Sequence, residues 1–160
     1  MSRKTSLGIL AALLVAAAFN LQADETRDVT IVPAEEIEWT VPFEGGPIRF
    51  GKGFGEVFET AHGTFGRFPG DFTTPSHTHS HSYHAVVLQG VMINPAAGDH
   101  GPAKKMGPGS YWYVPGGAEH TTACVSEEPC VFYMHQTTSF DFTPTTVEDQ
   151  EDEDRTTGRR

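Results

Sequence analysis

Pro75-Ser76-His77-Thr78-His79-Ser80-His81-Ser82-Tyr83-His84-Ala85-Val86-Val87-Leu88-Gln89-Gly90 is the stretch whose reading decides the fold. It holds four of the chain's eight histidines, and an apolar, strand-like run follows at once. Side chains two apart on an extended strand point the same way, so His77 and His79 can present two imidazoles on one face. Neutral imidazole is a common ligand for zinc, copper, iron and nickel. Two such rings make half a site. The candidate third ligand is His120, which ends the stretch Gly109-Ser110-Tyr111-Trp112-Tyr113-Val114-Pro115-Gly116-Gly117-Ala118-Glu119-His120. The rest of the chain is expected to form a barrel that brings these two segments together.

The 160 residues suffice for one domain and not for two of ordinary size. Residues 1–23 read as a secretory signal peptide, with a basic Ser2-Arg3-Lys4 start, an apolar run from Leu7 to Phe19, and the small Ala23 before Asp24. The run is short for a bilayer span, an uncleaved anchor being the alternative. No cysteine follows it to carry a lipid. The mature protein is therefore expected in the periplasm or secreted, with no stable membrane anchor after cleavage. The formal charge is −10, and it becomes −12 when Arg3 and Lys4 leave with the leader. Such an acidic chain is a poor nucleic-acid binder, because phosphate contacts need Lys and Arg. It is equally ill suited to anionic lipid. Six of the 21 acids lie between Glu148 and Asp154, so residues 147–160 are expected to form a solvated, disordered tail, where loose cation binding is conceivable. The two cysteines, Cys124 and Cys130, are close in sequence. In an exported protein they are expected to pair, the rival role being a soft metal ligand for Cys124.

Between residues 24 and 146 the pattern is of short strands divided by Gly and Pro turns. Val29–Pro33 is expected as an edge strand, and Glu35–Trp39 as a turn or the next strand. Ile48–Phe50 reads as a strand and Gly51–Gly55 as a turn. Glu56–Thr60 and Thr64–Phe68 read as strands joined through Ala61-His62-Gly63. Val86–Leu88, Val91–Ile93, Tyr111–Val114, His120–Val125, Val131–Met134 and Phe140–Phe142 complete the set, with a loop over 94–109. Helical periodicity over three turns is missing after residue 23, so the fold class is all-β, an antiparallel sandwich or barrel.

These residues resemble the cupin superfamily. Its second motif is matched closely by Gly109, Pro115, Gly117 and His120, with Cys124 where asparagine is usual. Its first is matched with edits: Gly70 sits one residue further out than the pattern asks, His77 and His79 supply the histidine pair, and Gly90 closes the motif. The resemblance covers residues 64–134 and is nearest to small bacterial single-domain cupins of uncharacterised function. It implies a jelly-roll (double-stranded β-helix) barrel binding one divalent metal, with iron, zinc, copper, nickel and manganese all open. It also makes a homodimer the default. The departure is the motif's glutamate, whose place falls on Tyr83 or His84. A phenol is a poorer ligand than imidazole, so the expected set is His77, His79, His84 and His120. On a regular strand, however, only one of Tyr83 and His84 can face inward.

His81 is expected to be exposed or to support the ligands from outside. His62 and His100 are expected at the surface, and His135 either in the cavity or in a structural hydrogen bond. Among Tyr111, Trp112, Tyr113, Phe132 and Tyr133 most must be core, and inward members can line a ligand pocket. Glu119, Tyr83 and His81 are the nearby groups that could serve as a base. A histidine site leaves the ion its full charge, which suits enolate activation toward dioxygen with iron, hydrolysis with zinc, or storage. The leading reading is a metal-dependent oxygenase or related enzyme acting on a small oxygen-bearing molecule. The alternatives are a non-enzymatic periplasmic metal- or small-ligand-binding sensor module and a metal-free structural barrel.

Overall fold

The computed structural model describes residues 29–145, so the expected leader and the expected acidic tail lie outside the described residues. Ten short strands follow a single 3-10 turn at Ala34–Glu36. They are β1 (Trp39–Thr40), β2 (Arg49–Phe54), β3 (His62–Phe68), β4 (His77–Thr78), β5 (Tyr83–Gln89), β6 (Met92–Ile93), β7 (Tyr111–Val114), β8 (Ala123–Cys124), β9 (Cys130–Gln136) and β10 (Thr143–Pro144). One layer is a six-stranded sheet in the order β1-β2-β3-β9-β5-β7, and β4 with β10 and β6 with β8 form two short ribbons. Single bridges Thr73–Ala123, His77–His120, Ala96–His120 and Met92–Met106 extend these ribbons into a second layer. All pairings are antiparallel. This is the all-β antiparallel architecture that the turn spacing predicts, in the jelly-roll form that the resemblance implies.

Strict alternation sets the interior. On β5, Tyr83, Ala85 and Val87 are buried while His84 is exposed. On β7, Trp112 and Val114 are buried between exposed Tyr111 and Tyr113, and on β9 Cys130, Phe132, Met134 and Gln136 face in. Phe68 and Phe132 meet edge to face at 5.4 Å, as do Phe50 and Phe140 at 5.7 Å. Edge-to-face contact matches the ring quadrupoles and adds to the area that each ring buries.

Several local expectations are corrected. Val29–Pro33 forms no strand. Gly51–Phe54 continues β2 instead of turning, and the glycines there serve close approach: a Cβ on Gly51 would lie 2.3 Å from Ile37 Cγ2, and one on Gly53 2.7 Å from Gly63 O. Glu56–Thr60 is the turn, closed by Thr60 N–H to Glu56 O at 2.9 Å. Only Ala123–Cys124 of the expected 120–125 strand is regular, and the last strand begins at Thr143, beyond Phe140–Phe142. Gly90, at φ 77°, makes the expected turn between β5 and β6 in a conformation that costs glycine little. No helix among the described residues is long and apolar enough to cross a membrane.

Cys124 and Cys130 form a disulfide with Cα atoms 5.6 Å apart, tying the β6–β8 ribbon to the central sheet. Closing so short a loop is worth about 2 kcal/mol by the chain-entropy relation. The Cys124→Ala/Cys130→Ala protein is expected to unfold in urea with stability lower by that amount. An unchanged midpoint would show that the cross-link adds nothing to stability.

Candidate metal centre

His77 and His120 are joined by reciprocal backbone hydrogen bonds, His77 N–H to His120 O and His120 N–H to His77 O, each 3.0 Å. Directly opposed residues of an antiparallel pair project to the same face. Their rings accordingly meet with centroids 4.3 Å apart. His79, two residues on, returns to that face, 4.9 Å from the ring of His77 and 5.2 Å from that of His120. The ligand nitrogens offered by the three lie within 4.8 Å of one another, and the residues are only 2–3% exposed.

Each ring has one nitrogen committed elsewhere. Nδ1–H of His77 donates to Pro75 O at 2.8 Å, that of His120 to Ala118 O at 2.9 Å, and that of His79 to Asp141 O. A carbonyl can only accept, so Nδ1 carries the hydrogen on all three rings and Nε2 keeps the lone pair. Carbonyl-anchored imidazoles of this kind are the usual arrangement behind a bound metal. The donor set fits a divalent transition metal.

Burial is the main cause that depresses all three imidazoles, offset by their carbonyl bonds. His77 is pushed down to about 4, with repulsion from His120 and His79 contributing. His79 and His120 are lowered for the same first reason. The trio is therefore neutral at physiological pH, with its lone pairs free to bind an ion.

The structure decides between Tyr83 and His84. Tyr83 faces in, 4% exposed, its Oη 3.4 Å from His120 Nε2 and receiving the Trp112 Nε1–H bond at 3.3 Å. Burial pushes its hydroxyl up to about 12, so the group at the motif's glutamate position is a neutral phenol. The expectation that His84 joins the cluster is corrected. It lies on the outer face of β5, hydrogen-bonded through Nδ1 to Tyr111 Oη at 2.7 Å and packed 4.9 Å from the Tyr113 ring. Alternation along β5 permits one of the two neighbours inside, and the larger apolar body is the one buried.

His81 is exposed beside Asp141, and His100 is exposed. His135 points outward toward Phe54, away from the cavity. His62 departs from its expected surface position: it is fully buried on β3, with Nδ1 2.9 Å from Thr64 Oγ1, and burial lowers its pKa. Glu119 accepts from Ser76 Oγ at 2.7 Å and Thr145 Oγ1 at 2.6 Å, which ties both histidine segments to the end of the barrel.

Sequence reasoning took Phe140-Asp141-Phe142 only as a strand and missed its place at the site. The Phe142 ring stacks on His77 at 4.2 Å and 25°, Phe140 lies 4.8 Å from His79, and the Asp141 carboxylate accepts from Ser80 N–H at 2.9 Å. Alternate aromatics near the chain's end were the available signal, but they read equally well as core. Together with Phe50, Phe132, Met134 and Trp112 these rings wall a cavity of about 40 Å³ beside the triad.

A jelly-roll barrel with an inward histidine triad on its two motif segments has the cupin fold. Within that class the chain belongs to the family described as "Domain of unknown function (DUF4437)", which matches residues 48–158. Solved structures share the fold. The polyketide cyclase RemF of Streptomyces resistomycificus has a TM-score of 0.62 at 18% identity, over 75% of this chain and 87% of that one. An RmlC-like cupin of Shewanella frigidimarina gives 0.52 at 18%, over 76% and 96%. A sugar phosphate isomerase of the cupin superfamily from Silicibacter pomeroyi gives 0.53 at 15%, over 74% and 98%. No curated protein matches the sequence significantly.

The imidazole depressions fix a pH dependence. Each folded value lies below the ordinary 6.5, so as pH falls the unfolded chain takes up protons first. Stability of the metal-free protein is thus full above about pH 6.5 and is lost progressively as pH falls through about 4. Urea unfolding at several pH values checks this, with a flatter profile expected for His77→Phe. A profile no steeper in the wild type than in that variant would contradict it.

Proposed function

We propose that this protein is an exported cupin that holds one divalent transition metal through His77, His79 and His120. On this reading it acts on a small oxygen-bearing molecule as an enzyme of the oxygenase or a related metal-dependent type. The observation that carries the reading is the set of three buried imidazoles whose Nδ1–H groups are all spent on backbone carbonyls. Three lone pairs left free within 4.8 Å of one another make a ready coordination site for a cation. Tyr83 reaches one of them, at 3.4 Å.

Burial of the rings favours a resident cofactor over an ion held for exchange. A metal bound by three neutral ligands supplies Lewis acidity undiminished by ligand charge. The chain's own residues supply the rest. The carbonyls of Pro75, Ala118 and Asp141 hold the rings in orientation, Phe140 and Phe142 exclude water, and Tyr83 offers a hydroxyl. The cyclase and isomerase that share the fold support an enzymatic role by analogy. Export is supported by the leader-like opening and by the Cys124–Cys130 disulfide, since such bonds persist in oxidising compartments.

Elemental analysis of purified protein is expected to give one equivalent of a transition metal. The His77→Ala/His79→Ala variant should fall to background and His84→Ala should keep the full amount. Saturating metal should raise the melting temperature of the metal-free protein, the linkage reaching about 4 kcal/mol at a thousandfold excess over Kd. Stoichiometric metal in the double variant would overturn the assignment.

A further inference from the structure

The cavity beside the triad has an unusual chemical balance. Its walls are Phe50, Phe132, Met134, Trp112, Phe140 and Phe142, and no Asp, Glu, Lys or Arg is among the described residues that line it. At about 40 Å³ it holds a few atoms, roughly the room of two or three waters. The polar groups facing it are largely spent. Thr74 Oγ1 accepts from Thr122 N–H at 3.0 Å, and Thr122 donates its own hydrogen to Asn94 Oδ1 at 2.6 Å.

Tyr83 differs. Trp112 Nε1–H fills an acceptor position on its oxygen, so the phenol's remaining role is to donate. Its partner among the triad is His120 Nε2 at 3.4 Å, and that lone pair is the one a metal takes. With the triad occupied, the phenol hydrogen needs another acceptor, either the Thr122 oxygen beside it or an oxygen of a ligand in the cavity.

Resting on the metal reading above, we propose that this chamber selects a small monoanion, an oxyanion head on a short apolar body such as a short-chain carboxylate, and that the Tyr83 hydroxyl donates a hydrogen bond to that head. Charge and walls lead to the same class. Three neutral imidazoles leave a divalent ion uncompensated in an apolar interior, and a single negative charge reduces that cost. A second anionic group would find no lysine or arginine to pair with. A polyol would press unpaired hydroxyls against phenyl rings. A short hydrocarbon body fits those rings.

The test is calorimetric titration of the full-length, zinc-loaded protein with propionate, succinate, inorganic phosphate and glycerol, followed by the same series on Tyr83→Phe. Propionate should bind at least tenfold more tightly than the other three. Tyr83→Phe should keep one equivalent of zinc with an affinity no weaker than the wild type's, yet bind propionate about tenfold more weakly, as expected for losing a hydrogen bond to a charged acceptor. The wild-type series stands even if the variant packs poorly. Succinate or phosphate binding as tightly as propionate would overturn the ligand class. Undiminished propionate affinity in a folded, zinc-loaded Tyr83→Phe would overturn the role of the phenol and leave its hydrogen with Thr122. Failure of the wild type to take up zinc or any other transition metal would instead bring down the metal reading, and this inference with it.

Discussion

The pair of backbone hydrogen bonds between His77 and His120 is the contact on which the rest of the site depends. It joins segments 43 positions apart in the chain and puts their side chains on one face. The register is held from both sides. Thr122 N–H bonds to Thr74 Oγ1, Gly117 N–H to His79 O at 2.8 Å, and Thr74 N–H to Thr122 O at 3.0 Å. A slip of one residue would turn every side chain of the pair to the opposite face, because the strand period is two. The ladder around this bridge therefore fixes the geometry of the imidazoles before any ligand is considered.

Burying three imidazoles together is unfavourable unless they stay neutral, and the backbone arranges that they do. Carbonyls at Pro75, Ala118 and Asp141 settle the position of the ring hydrogen, and apolar walls disfavour a second one. The same choice gives the site its chemical character. A carboxylate at the position of Tyr83 would neutralise part of an ion's charge, whereas a buried phenol leaves it intact and adds a hydrogen to donate.

Much of this was legible in the sequence because the relevant signals are local. The strand-and-turn pattern pointed to the all-β class, and the spacing of His77, His79 and Gly90, and of Gly109, Pro115, Gly117 and His120, resembled paired motifs that held three of the four expected ligands. The Cys124–Cys130 pair was similarly readable from spacing. The choice between Tyr83 and His84 was not, because it depends on the phase at which the chain leaves the Ser80-His81-Ser82 turn. That phase is set by distant partners: Ser82 Oγ receives Gly116 N–H at 3.0 Å, and Gln136 Nε2 donates to His81 O at 3.4 Å. Gly51 and Gly53 misled for a different reason. Glycine marks both turns and close backbone approach, and sequence does not distinguish the two. His62 shows the same limit, since a histidine beside a glycine looks like a surface turn until its strand partner is known.

The segment from Phe140 to Thr145 has a consequence for the order in which the molecule is finished. It supplies the acceptor for His79, the ring over His77, and the strand β10 that pairs with β4. During synthesis from the amino terminus these atoms emerge after all three of the histidines they support. Until that segment docks, His79 lacks its carbonyl acceptor and His77 its stacked ring, so the triad is fully braced only afterwards. A metal taken up by such a site would therefore be chosen where folding is completed, by the ions abundant there.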